Sequence, residues 1–442
     1  MHHNLNKYIK ISLIFCLSLF IQNTGAQSFH PGLSAKFQQT IDSLKTAQNV
    51  KGIAASVFIP QLGMWRSASG ISNGSIPINP DMEFGIASNT KLFTAVTILK
   101  LAELNLLKLD DSIHRWLPFH PKIDSNITIR QLLNHTSGIG DYNNIPGYAD
   151  SIMKNPNRIF KTSELIQWIG APEFPKGTSW SYCNSNYLLA GMIAEAASGS
   201  TIAQLIRTYI LNPLQMDSTF FDVSETVTGD IASPWQMGIN IGSIPRKSLN
   251  SAAYSAGAMY STVREMNIWY QSLMGEKVIN AASIAEMKKF VGTGNYGLGI
   301  SKEVLKNRTC YTHGGSIRGY QSFMLYDSAA QTVIAVFVNA NPGPARLIAQ
   351  ELLSAWSNYP MENSSTKEYH AEDIRLMRID ENQYSIESPS AAFPSVRIYN
   401  TAGQVLFQAM THTISTSNFN RGIYFIELEV NQQTRREKIF VE

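Results

Sequence analysis

The chain reads as an α/β (α+β) protein whose main sheet is assembled from the two ends of one domain, with helices inserted between them. Three observations carry that expectation. Strand-like runs stand early, at Ile53–Ile59 and Met64–Ala68, joined through Pro60-Gln-Leu-Gly63. Similar runs return late, at Phe323–Tyr326 and Thr332–Asn339, framing a turn that holds Asp327. Between them lies a long stretch with helix starts and few β-rich runs.

At 442 residues the chain can build one large core and an accessory domain. Its formal charge is +3, and Lys7 and Lys10 supply two of those charges in an acid-free leader. So small a balance gives no electrostatic case for nucleic acid or an anionic surface. Lys7 and Lys10 precede an apolar run from Ile11 to Ile21, and Thr24-Gly25-Ala26 supplies small residues at a cleavage position. Residues 1–26 are therefore expected to be a signal peptide, too short in its apolar run to span a bilayer. Cleavage leaves an exported chain with no integral membrane segment. Cys183 and Cys310 then remain and read as two buried free thiols. No HExxH, CxxC or clustered histidines occur, so neither metal nor cofactor is expected.

In chain order, Leu33, Phe37, Ile41 and Leu44 recur at helical spacing and predict an amphipathic helix. Gly70-Ile-Ser72-Asn-Gly74 matches the G-x-S-x-G elbow, which needs a helix directly after its serine. Two prolines follow within eight residues, so Ser72 is read as a turn residue. The run Leu92–Ala102 is apolar on too many sides for a surface helix and predicts a buried one. Thr128-Ile-Arg-Gln131 is a capping box for a short helix ending at His135-Thr-Ser-Gly138, and Thr201 and Thr262 open two more. Ala345–Trp356 is helical again. Residues 27–359 form the expected main domain, 360–372 a polar linker, and 373–442 a small all-β module of short alternating strands.

Three stretches carry chemistry. In Ser88-Asn-Thr-Lys91 the serine falls at the first turn of the buried helix, with the lysine one turn on. An ammonium there can accept or relay the serine's proton if burial lowers its pKa. In Ser181-Tyr182-Cys183-Asn184 a tyrosinate could act as general base if cations lower its pKa, while Asn184 orients Lys91 or a substrate amide. In Tyr311-Thr312-His313-Gly314-Gly315-Ser316 the glycines let a substrate backbone approach, and a free N–H could complete an oxyanion hole. Each has a bland counterpart: a serine cap, an aromatic before a helix, a glycine turn.

Together, S-x-x-K, Y-x-N and H-x-G resemble the serine hydrolases related to class C β-lactamases, among them penicillin-binding DD-peptidases, D-aminopeptidases and esterases. Ile127–Gly138, Tyr187–Ile193, Leu211–Asp217 and Tyr296–Gly299 add to the resemblance, which spans roughly Phe29 to Tyr359. It implies a β-lactamase/transpeptidase-like fold, an antiparallel sheet flanked by helices with a helical subdomain, and a site between them. It also implies Ser88 as acylated nucleophile, Lys91 as proton relay, Tyr182 as base and later acid, and Asn184 lining the site. Backbone N–H groups of Ser88 and Ser316 would form the oxyanion hole, with Gly315 between His313 and Ser316. His313 replaces the third-motif lysine and Gly314 the hydroxyl residue after it, a departure that points to esters and D-amino amides over β-lactams. His135 is read as structural. The expected activity is acyl transfer from a small ester, D-amino-acid amide or peptide. A β-lactamase, a DD-carboxypeptidase or a non-catalytic peptidoglycan or β-lactam sensor is the alternative.

Val396–Gln404, Asn420-Arg-Gly-Ile-Tyr424 and Lys438-Ile-Phe-Val resemble the C-terminal sorting domain of type IX secretion substrates in Bacteroidota. That resemblance implies the type IX machinery as a partner and an extracellular or cell-surface destination.

Overall fold

The computed structural model describes residues 29–227, 229–242, 246–360, 374–387, 394–411, 413–430 and 433–441. The expected leader lies outside them, as does the expected linker beyond residue 360. The chain divides after Asn358 into two compact units.

The first unit is organised on a seven-stranded antiparallel sheet. Its strands are β1 (Gly52–Ile59), β2 (Gly63–Asn73), β3 (Ile76–Pro77), β4 (Ser301–Leu305), β5 (Arg308–Ile317), β6 (Tyr320–Asp327) and β7 (Val333–Val338), in spatial order β3-β2-β1-β7-β6-β5-β4. Early and late strands meet at β1 and β7, where Ile53 pairs with Val338 and Val57 with Ile334. Every residue of β7 is buried, because helices cover both faces of the sheet there. Helix α1 (Pro31–Ala47) lays Leu33, Phe37 and Ile41 on one face, Phe37 against Trp65 at 5.2 Å between ring centroids. Helix α5 (Ala345–Ser357) packs beside it with Ile348, Ala349, Leu352 and Leu353 buried. Val57, paired with Trp65, shares that face, so Ser56 points to the other. There its hydroxyl donates to the Val263 carbonyl at 2.7 Å, holding helix α4 (Val263–Met274).

The helical layer contains α2 (Thr90–Glu103) and α3 (Asn184–Ser198). All of Thr90–Leu99 in α2 is buried, as the unsided apolar run predicts. The capping box at Thr128 is present, as is that at Thr201. Ser72 is a correction: β2 runs on past Ala68, so Ser72 lies in a strand, buried, and accepts from the Ser233 N–H at 2.9 Å. Gly70, at φ +91°, lets the strand continue past the Lys51 carbonyl without a side chain in the way. No helix follows Ser72, so it is no elbow. Among the described residues Cys183 and Cys310 are free and buried, as read.

The second unit is all strand, with a three-stranded and a four-stranded sheet closing on Ile374, Ile386, Val396, Ile398, Ile426 and Leu428. Arg375–Arg378, Gln383–Glu387 and Thr413–Ser415 are strands that the sequence pattern did not reveal. Among the described residues no single helix is long and apolar enough to cross a membrane. Each unit has a hydrophobic core of its own. Removing residues 359–442 is therefore expected to move the first unit's Tm by less than about 2 °C. A calorimetric scan of the truncated chain checks this; aggregation or a broad low transition contradicts it.

Candidate active site

A short strand, Phe84–Gly85, delivers the chain to Ala87, which takes φ +49° and turns it into a 3₁₀ turn over Ala87–Asn89 and then into α2. Ser88 sits in that turn, among backbone donors that have no partner inside the helix. Lys91 follows on the same face and points inward, since nearly the whole first turn and middle of α2 are interior.

The Lys91 amine is fully buried and touches three oxygens. Nζ lies 3.1 Å from Ser88 Oγ, 2.8 Å from Asn184 Oδ1 and 2.8 Å from the Ala256 carbonyl oxygen. It also stands 4.9 Å from the Tyr182 ring centroid and 5.6 Å from that of Tyr187. Burial brings the Lys91 pKa down to about 7, against the opposing pull of the Asp141 carboxylate. Ala256 reaches the amine because its segment nests on α3. A Cβ on Gly191 would stand 2.2 Å from Ser255 Oγ, so only glycine lets the two approach. Thr94 and Ser255 then fix the segment, Thr94 Oγ1 donating to the Ser255 carbonyl at 2.7 Å and Ser255 Oγ to the Tyr187 carbonyl at 2.7 Å.

Tyr182 enters the site just before α3. Its backbone neighbours are tied to His135: the Ser181 N–H donates to the His135 carbonyl at 3.1 Å and the Cys183 N–H to its Nδ1 at 3.2 Å. Asn186 donates to the same Nδ1, so the His135 proton sits on Nε2 and the ring is neutral. His135 itself stands at φ +64° with its ring 4.5 Å from that of Tyr182. His135, expected to be structural, thus ties down the backbone on both sides of Tyr182. The expected lowering of the Tyr182 pKa is not found. Burial pushes it above its ordinary value, Ser88 opposing only in part and the Asp141 carboxylate adding to the rise. Ser88 and Tyr182 Oη face each other without regular hydrogen-bond geometry, leaving Oη without a partner among the described residues.

His313 is buried on β5. Its Nδ1 lies 2.8 Å from the Gly314 carbonyl, which can only accept, so the Tyr296 hydroxyl at 2.7 Å donates to Nε2. Burial, and next the charge of Lys91, push its pKa down to about 3. The imidazole is a fixed neutral group rather than a conditional cation. Gly314 is exposed, with Phe323 Cδ2 the nearest atom to a built Cβ at 3.6 Å. Gly315 is the reverse. A Cβ there would stand 2.2 Å from the Ile86 carbonyl oxygen, so its absence lets β5 lie against the turn before Ser88. Ser316 is exposed at the strand's end and accepts from Asn341 Nδ2 at 3.2 Å.

One cleft of about 550 Å³ is lined by Ser88, Tyr182, Asn184, His313, Gly314, Gly315 and Ser316, with Lys91 beneath its floor. Glu303 and Arg346 pair with each other on its wall, Thr312 Oγ1 donating to Glu303 Oε1 at 2.6 Å. A smaller cavity of about 110 Å³ opens beside Ser88 toward Tyr142, Tyr148, Ile152 and Leu249. The structure thus brings together every residue singled out for the site. Sequence reasoning missed Asp141, Tyr296 and the Ala256 carbonyl. Asp141 follows the His135-Thr-Ser-Gly138 phrase by only three residues, and Tyr296 begins the phrase Tyr296–Gly299; nothing marks the carbonyl.

A seven-stranded antiparallel sheet against a helical layer, with a serine and a buried lysine between them, defines the β-lactamase/transpeptidase class of fold. The chain belongs to the beta-lactamase family, whose model matches residues 37–355. Residues 380–442 match the secretion system C-terminal sorting domain, which indicates secretion to the cell surface or extracellular space through the type IX machinery. Among curated relatives, Protein flp of Staphylococcus aureus (strain MW2) is 27% identical over 283 residues, covering 60% of this chain and 54% of that protein. Penicillin-binding protein 4* of Bacillus subtilis (strain 168) is 34% identical over 147 residues, 32% of this chain and 31% of that one. The chain thus spans about half the length, or less, of the curated relatives it matches. A D-stereospecific amidohydrolase from Streptomyces sp. superposes with a TM-score of 0.65 at 25% identity, covering 72% of this chain and 97% of that one. D-amino acid amidase from Ochrobactrum anthropi SV3 gives 0.67 at 24% identity, with coverages of 74% and 99%, and shares the fold.

The two glycines of β5 make opposite demands. Gly315→Ala is expected to cost about 1–3 kcal/mol, because the Ile86 backbone carbonyl must move as well as the Ser322 hydroxyl. Gly314→Ala should leave stability within about 0.5 kcal/mol of wild type. Urea denaturation of the two variants checks this; equal losses would mean that β5 does not need the close approach.

Proposed function

We propose that this chain is a secreted serine hydrolase that moves the acyl group of an ester or amide onto Ser88 and then to water. One observation carries the reading. The buried Lys91 amine sits 3.1 Å from Ser88 Oγ with two pure acceptors, Asn184 Oδ1 and the Ala256 carbonyl, taking its remaining donors. A neutral amine so placed spends both N–H groups on those oxygens and turns its lone pair to the Ser88 hydroxyl. With its pKa near 7 the amine is neutral in a large share of molecules at physiological pH.

In the proposed cycle Ser88 Oγ attacks the substrate carbonyl carbon as its proton passes to Lys91. The oxyanion that forms is held by the N–H groups of Ser88 and Ser316. Tyr182, kept protonated by burial, gives its proton to the departing oxygen or nitrogen as that bond breaks, and Lys91 returns a proton to the tyrosinate. Water then attacks the acyl-enzyme, its proton going to Lys91 and on to Ser88 as the Ser88–acyl bond breaks. This assigns the base role to Lys91 and the acid role to Tyr182, in place of an ionised tyrosine.

The substrate class follows from what the cleft lacks. His313 is neutral and Gly314 has no hydroxyl, while the Arg346 guanidinium is bound by Glu303. Among the described residues lining the cleft there is no free fixed cation for a substrate carboxylate, which favours small neutral esters and D-amino amides over β-lactams. The D-stereospecific amidohydrolase at 25% identity supports an amide. The cavity of about 110 Å³ beside Ser88 suits a small acyl group.

A panel of p-nitrophenyl esters, D-alanyl amides and nitrocefin tests the reading. Turnover is expected on the first two and much less on nitrocefin, with a fluorophosphonate labelling Ser88. Ser88→Ala and Lys91→Ala should each lower kcat/KM by about 10³-fold or more while the fold persists. Labelling without turnover on any of these substrates would instead make the protein a binding sensor. The wild-type kcat/KM should also rise with pH through about 7, as the Lys91 ammonium loses its proton. A rate that is flat from pH 5 to 8 would rule out Lys91 as the base.

A further inference from the structure

The loop that follows the short helix Ile129–Leu133 places Asp141 against Asn184. Asp141 is buried, and its Oδ2 accepts both the backbone N–H and the side-chain Nδ2 of Asn184, each at 2.9 Å. Its Oδ1 accepts the Asn143 N–H at 2.9 Å. These bonds have a consequence for Lys91. An asparagine amide can present either its oxygen or its nitrogen to a neighbour. With Nδ2 committed to a carboxylate, only Oδ1 can face the amine, where it stands 2.8 Å from Nζ. If the amide turned over, Nδ2 would donate to the lone pair of the neutral amine, and Ser88 would lose its proton acceptor.

We propose that Asp141 is a positioning residue for the reaction, locking the Asn184 amide so that the Lys91 lone pair remains directed at Ser88. The inference rests on the proposed role of Lys91. Asp141 acts a second way, through its charge. The groups bearing on the Lys91 amine are Asp141, Cys183, His135, His313, Tyr182 and Tyr187. His135 and His313 are neutral by burial, and burial likewise pushes up the Cys183 thiol and the two tyrosines. Asp141 is therefore the one carboxylate in this set, and it favours the ammonium against burial.

Asp141→Asn removes the charge and lets the Asn184 amide turn. Two changes are expected in the full-length protein, measured on whichever ester or amide the wild type turns over. The plateau of kcat/KM falls by about 10–100-fold, as for loss of a group that orients a catalytic residue. The acid limb, normalised to each variant's own plateau, moves down by about one pH unit, because an opposite charge no longer supports the ammonium. A purely structural role lowers the folded fraction and the plateau but leaves that midpoint in place, and Asp141→Ser repeats the measurement with a smaller side chain. An acid limb that stays at the wild-type midpoint, or moves up, in both variants overturns the proposal. The outcome is separable from that of the parent reading. If Lys91→Ala retains activity the base assignment fails, whereas an unmoved midpoint alongside an inactive Lys91→Ala refutes Asp141 alone.

Discussion

A primary amine held out of water beside a serine is the constraint on which this site depends. An ammonium that loses its hydration is strongly disfavoured unless other groups replace the water. Here the replacement is partial by construction. Asn184 and the Ala256 carbonyl offer dipoles rather than charges, and Asp141 acts from behind an amide. The result is a lysine poised between its two forms, with a pKa near 7, where a surface lysine would stay charged. Each acceptor needs its own support. Gly191 admits the Ala256 segment, and Asp141 fixes Asn184. The site is a consequence of how α2, α3 and the Tyr254–Ala256 turn pack.

The same low-dielectric surroundings set the protonation of every neighbour. Tyr182, Tyr187, Tyr296, His135 and His313 are all driven toward their neutral forms by burial. This is the ground for proposing Tyr182 as an acid, where a cation-rich cleft would favour a base. A neutral phenol is a donor, and among the described residues Oη stands beside Ser88 without a regular hydrogen bond. His313 differs from a third-motif lysine for a like reason. Its two nitrogens are engaged with Tyr296 and the Gly314 carbonyl, so it shapes the strand instead of carrying charge.

Much of this was legible because local spacing encodes it. Ser88 and Lys91 are one helical turn apart, and the unsided apolarity from Leu92 onward says that the turn is buried. Tyr182 and Asn184 straddle a helix start, and the H-x-G stretch announces a strand that something approaches closely. The capping boxes at Thr128 and Thr201 were readable as chemistry of four residues. What stayed hidden depends on distance or on backbone. Asp141 lies 43 residues from Asn184, and the Ala256 carbonyl lies 165 residues from Lys91. A carbonyl has no side chain to read. Ser72 was misplaced for a related reason: its turn-like neighbours Gly70 and Asn73 are accommodated inside a long edge-side strand by an irregular register with β3. The direction of the Tyr182 shift also needed the fold, since only the packed site shows that burial and the nearby Asp141 carboxylate act in the same direction and that Ser88 opposes them only in part.

Ala87 shows how the sheet and the helical layer act together on Ser88. A residue with a Cβ at φ +49° pays roughly 1–2 kcal/mol relative to a right-handed conformation. That conformation is held from two sides. The Ile86 N–H donates to the Met259 carbonyl at 3.0 Å, and the Ile86 carbonyl accepts from Ser322 Oγ at 2.7 Å. Asn89 Nδ2 donates to the same Ser322 oxygen at 2.8 Å, so one hydroxyl on β6 grips the turn both before and after Ser88. Ser322 can reach because Gly315, its partner across the ladder, leaves the space empty. The glycine of the late motif therefore serves the serine of the early one through the sheet. The two motifs belong to one mechanical unit, although Ser88 and Gly315 lie 227 positions apart.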